Sequence, residues 1–543
     1  MSEGAGPRVP ANGRYQVIVV GGGPVGLGLA IDLTQRGVSC AVIERNADLR
    51  NIPKGQLLTA RTLEHFAKWG CVDEIRAARV LPPGHRIGSL TIYGTLFGRY
   101  RYASRGAGQL RPGLFAEAGE RLPQYQTERV LRRRLSELNP AGLILSTTVR
   151  GVGQDPDGVR LDVEPTGGGA SRELRADYVV GCDGARSLVR ESTGIGLRGG
   201  ERRRRMMLVV FRAPELNRRL EELPTATTYR VMRPALDGWW QFFGRIDAAG
   251  GFFFHSPVPD GAEVDADVAL AAMHGAAGTE FAAEITHLRS WDGRIVQAAA
   301  YRRGRTFIAG DAAHQHPPYG GYGLNTGLED AANLSWKLAA ALEGWGGDGL
   351  LDAYDAERTP VFAAVGALIG GSIERDHAFL ERHDPGRDLA DFEAAWQRLA
   401  SEPSVLDVQQ EPHYEGSPIV CGGAEAGHRE PGIEVADSLA ARPGHHLSPR
   451  RMSSGATAFA TLGPGFTLLA LGAESGAAQR FADAAARLGA PLAIVSDTPG
   501  GERADWGARL ILVRPDQYVA WSGDDAPDDA ERILVRATGA VAP

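Results

Sequence analysis

The chain has 543 residues, and its 59 basic and 66 acidic side chains give a formal net charge of -7. At about 150 residues per domain, this length predicts two to four domains with sizeable cores, which excludes a peptide hormone or a small disulfide-stapled module. Since no block of basic residues accompanies the negative charge, nucleic acid is not an expected partner.

Cysteine usage and the apolar segments predict a cytoplasmic protein without a membrane span. The four cysteines form no CxxC pair and have no metal-ligand spacing, which is typical of a reduced compartment: Cys40, Cys71, Cys182 and Cys421. Residues 1–14 lack the basic and apolar regions of a secretory signal, so we expect a short disordered lead there. The longest uncharged apolar run, 361–373, is too short to cross a bilayer and is interpreted as a buried helix.

The first ordered segment predicts a βαβ unit. An apolar strand at 15–20 leads directly into the glycine cluster 21–26, and a helix follows to about residue 36. A second apolar strand at 38–43 ends in Glu44. The alternation of apolar runs with a helical pattern is typical of a parallel sheet.

The middle of the chain has a different pattern. Residues 155–172 are rich in turn-forming residues, and residues 205–256 alternate and are rich in aromatic side chains, which predicts an antiparallel sheet. From Asn325 to about residue 342 the apolar spacing predicts a buried helix with Asn325 as its N-cap. More helix is expected to about residue 400.

The last part of the chain predicts a small separate α/β module. Scattered Pro, Gly and His between 401 and 450 indicate a connecting segment. Apolar strands at 466–471, 491–497 and 508–522, with a helix at 479–489, then form the module.

Three glycines, Gly21, Gly23 and Gly26, form a GxGxxG motif between the first strand and helix. Glycine allows a tight turn and a close approach of backbone N–H groups to a pyrophosphate, whose charge a helix N-terminus stabilises. Glu44 follows the next strand, where it can accept hydrogen bonds from ribose hydroxyls. The motif predicts a dinucleotide site but does not distinguish FAD from NAD.

Two later motifs make that distinction. Residues 178–190 read YVVGCDGARSLVR, and residues 306–318 read TFIAGDAAHQHPP. In the order and spacing of these motifs the chain resembles the group A flavoprotein aromatic hydroxylases, the family of p-hydroxybenzoate hydroxylase and phenol hydroxylase, over roughly residues 15–365. The C-terminal module resembles the thioredoxin-like extension of phenol-hydroxylase-type members, although no cysteine follows Cys421 to support dithiol exchange.

The resemblance implies an α/β fold with three domains. A Rossmann-like FAD-binding domain at 15–200 and 300–400, with a helical extension, carries an inserted antiparallel-sheet substrate domain at 201–299. A connecting segment at 401–450 leads to a thioredoxin-like α/β domain at 451–543.

The resemblance also implies an activity. The expected enzyme is a monooxygenase with non-covalent FAD, NADPH or NADH as transient co-substrate, and O2, which hydroxylates a phenolic or other electron-rich aromatic compound through a flavin C4a-hydroperoxide. The alternative is a flavin monooxygenase of the same fold that oxidises or inactivates a polyketide-type compound, including Baeyer–Villiger oxygen insertion. A non-catalytic flavin-binding scaffold would leave complete flavin motifs without a use. The expected partner is a small aromatic substrate, and a homodimer is compatible with the sequence.

By resemblance, twelve residues are expected to hold the FAD. Asp311 ends an apolar strand and is suited to accept from ribityl hydroxyls, while Asp183 with Gly184 would serve both FAD and NAD(P)H. The amides of Leu324 and Asn325, at the positive end of a helix, would stabilise charge on reduced flavin. The complete set is Gly21, Gly23, Gly26, Glu44, Arg45, Lys54, Gln124, Asp183, Asp311, Gly323, Leu324 and Asn325.

The chain departs from the family pattern at two adjacent places. Lys54-Gly55 replaces the usual Arg-Ala, so a contact to the FAD phosphates is made by Lys54 or is lost. Gln56 stands where several phenol-type members carry an Asp or His nearby that takes the phenolic proton, and glutamine cannot act as that base. Either another residue ionises the substrate, or the substrate ionises by itself.

Aromatic and histidine residues supply the remaining candidates, with sheet core as the competing interpretation for each. The candidate proton acceptors are His255, Tyr319 and Tyr229. The candidate substrate pocket consists of Gln56, Tyr229, Phe242, His255, Pro317 and Pro318. No metal site is predicted, because the histidine pair His314 and His316 has no evident third ligand and belongs to a flavin motif of the family.

Overall fold

The computed structural model describes residues 14–82, 85, 88–103, 111–402, 410–422, 430–473, 475–525, 527 and 529–540. Except for Arg14, which begins the first strand, the expected disordered lead lies outside the described residues. Parts of the predicted connecting segment, 403–409 and 423–429, and the final residues 541–543 also lie outside them. The fold is mixed α/β, as predicted.

The helices surround three main sheets. In chain order they are α1 (Pro24–Gln35), α2 (Ala60–Lys68), α3 (Val72–Ala77), α4 (Gln124–Leu138), α5 (Leu188–Ser192), α6 (Pro214–Arg219), α7 (Ala266–Ala277), α8 (Tyr322–Glu343), α9 (Asp348–Arg382), α10 (Leu389–Ser401), α11 (Ser475–Leu488) and α12 (Ala530–Ala537).

The strands of the first half of the chain are β1 (Arg14–Val20), β2 (Cys40–Ile43), β3 (Leu57–Leu58), β4 (Ser89–Tyr93), β5 (Arg101–Ala103), β6 (Glu120–Arg121), β7 (Leu143–Ile144), β8 (Thr147–Asp155), β9 (Gly158–Pro165), β10 (Arg172–Gly181), β11 (Leu197–Arg212), β12 (Thr228–Met232), β13 (Gln241–Arg245) and β14 (Gly251–Pro257). The later strands are β15 (Glu284–Ala298), β16 (Arg302–Arg303), β17 (Thr306–Ile308), β18 (His314–Gln315), β19 (Gln410–His413), β20 (Gly432–Val435), β21 (Phe466–Leu471), β22 (Leu492–Asp497), β23 (Leu510–Val513) and β24 (Val519–Gly523).

The first sheet contains the predicted βαβ unit. Its main strand order is β16-β17-β10-β1-β2-β7, in which β17, β10, β1, β2 and β7 run parallel, and β9 and β8 extend it as an antiparallel ribbon from β10. The carboxyl ends of β1, β2, β10 and β17 therefore meet at one edge. In open parallel sheets, ligands bind at this edge.

The second sheet confirms the predicted antiparallel region and extends it. Its order is β18-β15-β11-β14-β13-β12-β4-β5, and within the described residues only the β12–β4 pair of this sheet is parallel. Strands β4, β5 and β18 come from outside the segment 201–299. Because these strands are short, they carry little alternation that could be recognised in the sequence.

Side-chain alternation gives the second sheet two distinct faces. One face packs against α7 through a core that includes Met207, Val209 and Phe254. Their neighbours along the strands, such as Leu208 and Phe253, lie on the opposite face. A period of two residues makes this assignment strict, since each strand residue points away from the next.

The C-terminal sheet has the order β22-β21-β23-β24 and belongs to the predicted thioredoxin-like domain. The segment 508–522, predicted as one strand, is two antiparallel strands, β23 and β24. They are separated by a turn in which Gln517 has a φ of 70°. This turn reaches into the interface with the first part of the chain.

Helix α8 begins at Tyr322, three residues before the predicted N-cap. Gly321, with a φ of 74°, occupies the cap position, and its freedom to adopt that conformation allows the chain to enter the helix early. The apolar run 361–373 lies within α9, where Val361, Ile369 and Ile373 are buried, as predicted. In the part of the chain that the structure describes, no helix combines the length and hydropathy needed to cross a membrane.

The thioredoxin-like domain docks onto α8 and α9 through buried charges. The carboxylate of Glu357 accepts hydrogen bonds from Arg514 at 2.6 and 3.0 Å and from Lys337 at 2.7 Å. It also accepts from Asn333 and Ser417, both at 2.7 Å. The side chains of Glu357, Lys337 and Arg514 are fully buried, so this network joins the domains where water cannot replace it.

Candidate active site

A cavity of about 1000 Å³ runs along the carboxyl edge of the first sheet and reaches the second sheet. Of the twelve predicted cofactor residues, all except Gly26 and Asn325 line it. Among the predicted substrate residues, it is lined by Gln56, Phe242, His255 and Pro318. The fold thus brings together residues that the sequence separates by up to 303 positions, from Gly21 to Leu324.

The three glycines of the GxGxxG motif have three different environments. Gly21 adopts a φ of 109° and lies so close to β10 that a Cβ there would be 2.3 Å from the carbonyl oxygen of Cys182. A Cβ on Gly26 would be 2.1 Å from the carbonyl oxygen of Gly21, whereas a Cβ on Gly23 would have no protein atom within 4 Å. Gly21 and Gly26 are therefore required by packing, and Gly23 leaves backbone open to the cavity.

Glu44 is held in place at the end of β2. Its Oε2 accepts from the backbone N–H of Gly22 at 2.8 Å, and its Oε1 accepts from the backbone and side-chain nitrogens of Asn46 at 2.8 and 2.6 Å. These bonds hold a carboxylate that lines the cavity, and Oε2, which accepts one bond, keeps capacity for a further donor.

Two aspartates follow β10 and β17. Asp183 uses Oδ2 to accept from the Val189 amide at 3.2 Å, while its Oδ1 is buried without a hydrogen-bond partner. Burial raises the pKa of Asp183. Asp311 lies in a short 3₁₀ turn, and its side chain is exposed toward the cavity. Both carboxyl groups have acceptor capacity left for hydroxyl or amide donors of a ligand.

Lys54 and Arg45 are exposed at the cavity wall, and Gln124 joins the neighbouring loop to α4. The Oε1 of Gln124 accepts from the Gly55 amide at 3.2 Å, and its Nε2 donates to Glu128 at 2.8 Å. Gln124 therefore supports the loop that carries Lys54.

The start of α8 supplies backbone donors. A helix that begins at Tyr322 leaves the amides from Gly321 to Leu324 without intrahelical acceptors, and Gly321, Gly323 and Leu324 line the cavity. Asn325 is one residue further along, and its side chain forms hydrogen bonds within the protein. Its Oδ1 accepts from Thr59 and Thr62, and its Nδ2 donates to Leu57, so Asn325 fixes β3 and α2 against α8.

Four predicted substrate residues face the cavity. Phe242 stacks on His255 with ring centroids 4.9 Å apart, and Pro318 lies on the segment before α8. Burial, with a contribution from Arg289, lowers the pKa of His255 to about 3, and its Nδ1 has no partner. Gln56 is 6% exposed, and neither atom of its amide group has a hydrogen-bond partner.

Tyr229, Tyr319 and Pro317 do not line the cavity. Tyr229 belongs to the core on the α7 face of the second sheet, where its hydroxyl accepts from Arg245 at 3.3 Å. Tyr319 stacks on Trp240 at 4.0 Å, and its hydroxyl accepts from the Trp240 amide at 3.0 Å. Strand alternation turns Tyr229 to the sheet face opposite the cavity, where it does not meet the other predicted pocket residues.

The paired histidines have separate structural contacts. His314 forms a 2.7 Å hydrogen bond with Asp330, and Nδ1 of His316 lies 2.6 Å from the carbonyl oxygen of Pro317. Elsewhere, His413, Glu415 and His445 have potential ligand atoms within 4.8 Å of one another. His445 there forms a 2.8 Å hydrogen bond with Glu415 and contacts the Arg442 guanidinium at 3.1 Å, and this neighbouring cation opposes metal binding.

Among the cavity residues that the sequence analysis missed are Arg121, Arg230 and Trp240. Arg230 forms a 2.9 Å ion pair with Asp376 of α9 and lies 4.3 Å from the centre of the Trp240 ring. Arg230 could have been considered from the sequence, because it follows Tyr229 on β12 and successive strand residues point to opposite faces of the sheet. Its partner Asp376 is 146 positions away and could not be predicted.

The family model for an FAD-binding domain matches residues 14–367, about two thirds of the chain, and the model for the C-terminal domain of aromatic-ring hydroxylases matches residues 440–541. The chain belongs to the FAD-dependent aromatic hydroxylase family. This confirms the resemblance found in the flavin motifs and the thioredoxin-like module.

Curated members of the family align over nearly the whole chain. A putative polyketide hydroxylase of Streptomyces halstedii is 31% identical over 94% of this chain and 94% of its own length. The tetracenomycin A2 monooxygenase-dioxygenase of Streptomyces glaucescens is 30% identical over 96% and 97%. The 4-methyl-5-nitrocatechol 5-monooxygenase of a Burkholderia species is 32% identical over 98% of each chain.

Solved structures of the family share the fold. RebC with bound 7-carboxy-K252c superposes with a TM-score of 0.81 at 28% identity, covering 97% of this chain and 99% of that one. Aklavinone-11 hydroxylase in complex with FAD and aklavinone has a TM-score of 0.78 at 26% identity, covering 96% and 99%.

The residues of this hydroxylase-family site fit an FAD. Gly23 leaves backbone free for a pyrophosphate, Asp183 has a buried oxygen without a partner, and the carboxylate of Glu44 is held at the cavity wall by the Gly22 amide. The chain therefore has the donors and acceptors that a flavin dinucleotide requires at the expected strand ends.

Replacing Asp311 by alanine is expected to weaken FAD binding about ten- to a hundredfold, because the loss of an acceptor leaves donors of the ligand unpaired at a cost of about 1–3 kcal/mol. Titration of apoprotein with FAD, followed by flavin fluorescence, measures the change. The exposed Asp483 of α11 provides the control, since Asp483→Ala removes a carboxylate far from the cavity. Wild-type affinity in Asp311→Ala would contradict the assignment.

Proposed function

We propose that this protein is a single-component FAD-dependent monooxygenase that uses NAD(P)H and O2 to hydroxylate a phenolic or other electron-rich aromatic compound. The observation that carries the proposal is one cavity that joins the flavin residues to an aromatic sheet face. Glu44, Asp183 and Asp311 line its first part, and Phe242, Trp240 and His255 line the second.

FAD, held without a covalent bond, would supply the redox chemistry: it would pass two electrons from NAD(P)H to O2, so that one oxygen atom enters the substrate and the other leaves as water. The protein binds and orients the aromatic ring against the second sheet. It also excludes water, since Phe242, Trp240 and His255 are all at most 6% exposed. Water exclusion protects reactive states of the cofactor from unproductive decay.

A second function is the oxidation or inactivation of a polyketide-type compound, including Baeyer–Villiger insertion. It is favoured by the relative named as a putative polyketide hydroxylase and by a rifampicin monooxygenase of Streptomyces venezuelae, 35% identical over 65% of this chain and 69% of its own length. Both functions use the same cofactor site and differ in the ligand at the second sheet.

The test is NAD(P)H oxidation under air by the FAD-loaded protein. A panel of simple phenols and multi-ring polyphenols is screened for stimulated oxidation, and products are examined by mass spectrometry for a gain of one oxygen. NMR then separates ring hydroxylation from ester formation by Baeyer–Villiger insertion. Consumption of NAD(P)H that yields no oxygenated product with any compound of the panel would contradict both functions.

His255 is expected not to act as the proton acceptor for a phenol. Since the pKa of His255 is lowered to about 3 by burial, it stays neutral and does not titrate between about pH 5 and 9. His255→Gln should therefore leave the shape of the kcat/KM pH profile unchanged in that range, with less than a tenfold loss. If the wild-type kcat/KM rises with pH in this range and the rise is absent in His255→Gln, His255 is the proton acceptor and the prediction is wrong.

A further inference from the structure

Arg121, at the end of β6, carries a buried guanidinium in the cavity wall and is 8% exposed. Its Nη2 donates to the carbonyl oxygens of Arg245 at 2.9 Å and Thr227 at 3.3 Å, and its Nη1 reaches the hydroxyl of Thr228 at 3.5 Å. Its Nε is buried without a hydrogen-bond partner.

The charge of Arg121 is not compensated by a carboxylate of the described residues. The adjacent Glu120 pairs with Arg79, and Arg245 is a second cation, which donates to Tyr229 and Asn217. His85 lies near Arg245 and adds no negative charge. Burial alone lowers the pKa of Arg121 to about 9. The segment 75–116, which leads toward β6, supplies no carboxylate either, since it contains seven arginines and no aspartate or glutamate.

Gln56 lies beside Arg121 on a two-stranded ribbon. Leu57 of β3 is the register partner of Arg121 on β6, and the carbonyl oxygen of Gln56 accepts from the Leu122 amide at 2.9 Å. Both side chains line the cavity, and the amide group of Gln56 has no partner. Leu57 packs close to Gly321, so the ribbon adjoins the start of α8.

Burying an unpaired charge costs several kcal/mol, and a neutral cavity would not compensate Arg121. We propose that Arg121 is a substrate-binding residue that holds an anionic oxygen of the aromatic substrate, a phenolate or a carboxylate, with Gln56 hydrogen-bonding a polar group of the same ligand. This inference rests on the proposed function and specifies the class of its substrate.

The assignment accounts for glutamine at position 56. A fixed cation favours binding of the ionised form of a phenol. The substrate therefore gives its proton to solvent before it enters the part of the cavity that excludes water, and no carboxylate or imidazole is needed there to take it. Arg121 then retains the phenolate, whose ring is more electron-rich than that of the phenol. For a substrate that carries a carboxylate instead, Arg121 fixes the orientation of the ring.

The test uses FAD-loaded protein and three probes: 4-nitrophenol, whose ionisation is visible in its absorption spectrum, 4-nitrobenzoate, and the neutral 4-nitroanisole. If Arg121 binds phenolate, the pKa of bound 4-nitrophenol falls by at least about one unit, equivalent to tenfold tighter binding of the anion. Arg121→Gln removes this shift, and Arg121→Lys, which keeps the charge, retains most of it. The control Arg212→Gln, at the exposed end of β11 and outside the cavity wall, leaves the shift unchanged.

Selective binding of 4-nitrobenzoate, lost in Arg121→Gln and without a shift for 4-nitrophenol, supports the carboxylate form of the proposal. Equal affinity of the wild type for all three probes overturns it, and so do unchanged affinities in a flavin-loaded Arg121→Gln. If Arg121→Gln does not bind FAD, the proposal is judged from the wild type alone, by whether it binds the anionic probes more tightly than neutral 4-nitroanisole. Oxygenation of neutral aromatics without anion selectivity would contradict this inference but not the proposed function. Anion-selective binding without turnover of any compound would support the role of Arg121 but contradict the proposed function.

Discussion

Gly26→Ala is expected to yield a protein without bound flavin. A Cβ at this position would lie 2.1 Å from the carbonyl oxygen of Gly21 and 3.1 Å from a methyl group of Val19, so α1 must move away from β1. That movement displaces the backbone donors and the helix N-terminus that a pyrophosphate requires. Flavin content, read from the absorption of purified protein, should fall more than about tenfold, a loss of about 1.4 kcal/mol or more in binding.

Gly23 and Gly196 provide matched comparisons. Neither would bring a Cβ within 4 Å of another protein atom, and neither has a φ in the left-handed range. Gly23→Ala should keep the thermal stability of the apoprotein but lower FAD affinity, because its methyl group enters the cavity. Gly196→Ala, outside the cavity wall, should change neither. Full flavin content in Gly26→Ala would show that α1 can shift without loss of the site.

Glu357→Ala is expected to destabilise the protein by about 3–5 kcal/mol, because it leaves the buried cations Lys337 and Arg514 without their common carboxylate. Arg514 keeps Asp516 as a partner at 2.5 Å, whereas the remaining hydrogen bond of Lys337 is to the neutral Asn333 side chain at 2.8 Å. A fall in the midpoint of urea unfolding, followed by tryptophan fluorescence, measures the effect.

The exposed pair Arg487–Glu531, within the thioredoxin-like domain, supplies the control. Glu531→Ala should cost about 1 kcal/mol or less, because water screens that pair. A similar small cost for Glu357→Ala would mean that the interface does not depend on this network.

The network also predicts a response to acid. Arg514 and Lys337 hold the pKa of Glu357 well below its usual range. The stability that Glu357 contributes is therefore complete above its unfolded pKa of about 4.3 and is lost as the pH falls toward its folded pKa. In Glu357→Ala, the midpoint of urea unfolding should depend less on pH below about 4.

The nucleotide half of the fold was predictable from local patterns. The strand, glycine motif, helix and following acidic residue occupy adjacent positions, so periodicity and turn chemistry were sufficient to predict the β1-α1-β2 unit. Asp183 and Asp311 were recognised by motif, and the parallel pairing of β10 with β17, the strands that precede them, then places both at one edge. The start of α8 was predicted three residues late, because an N-cap was assigned to Asn325 from its side-chain type, whereas backbone freedom at Gly321 determines the cap.

The sequence by itself determined the nucleotide motif, the two kinds of sheet and the thioredoxin-like module, because each depends on residues close together in the chain. Only the tertiary structure decided which side chains share the substrate end of the cavity. Tyr229 and Arg230 are neighbours in sequence but lie on opposite sheet faces, so only one of them lines the cavity. Arg121 shows no local signal, since its burial and its lack of a carboxylate partner arise only when β6 packs against the ends of β12 and β13. Whether a charge is compensated depends on its distances to other charges in the folded chain and not on their spacing in sequence. The proposed anion site could therefore be recognised only in the folded chain.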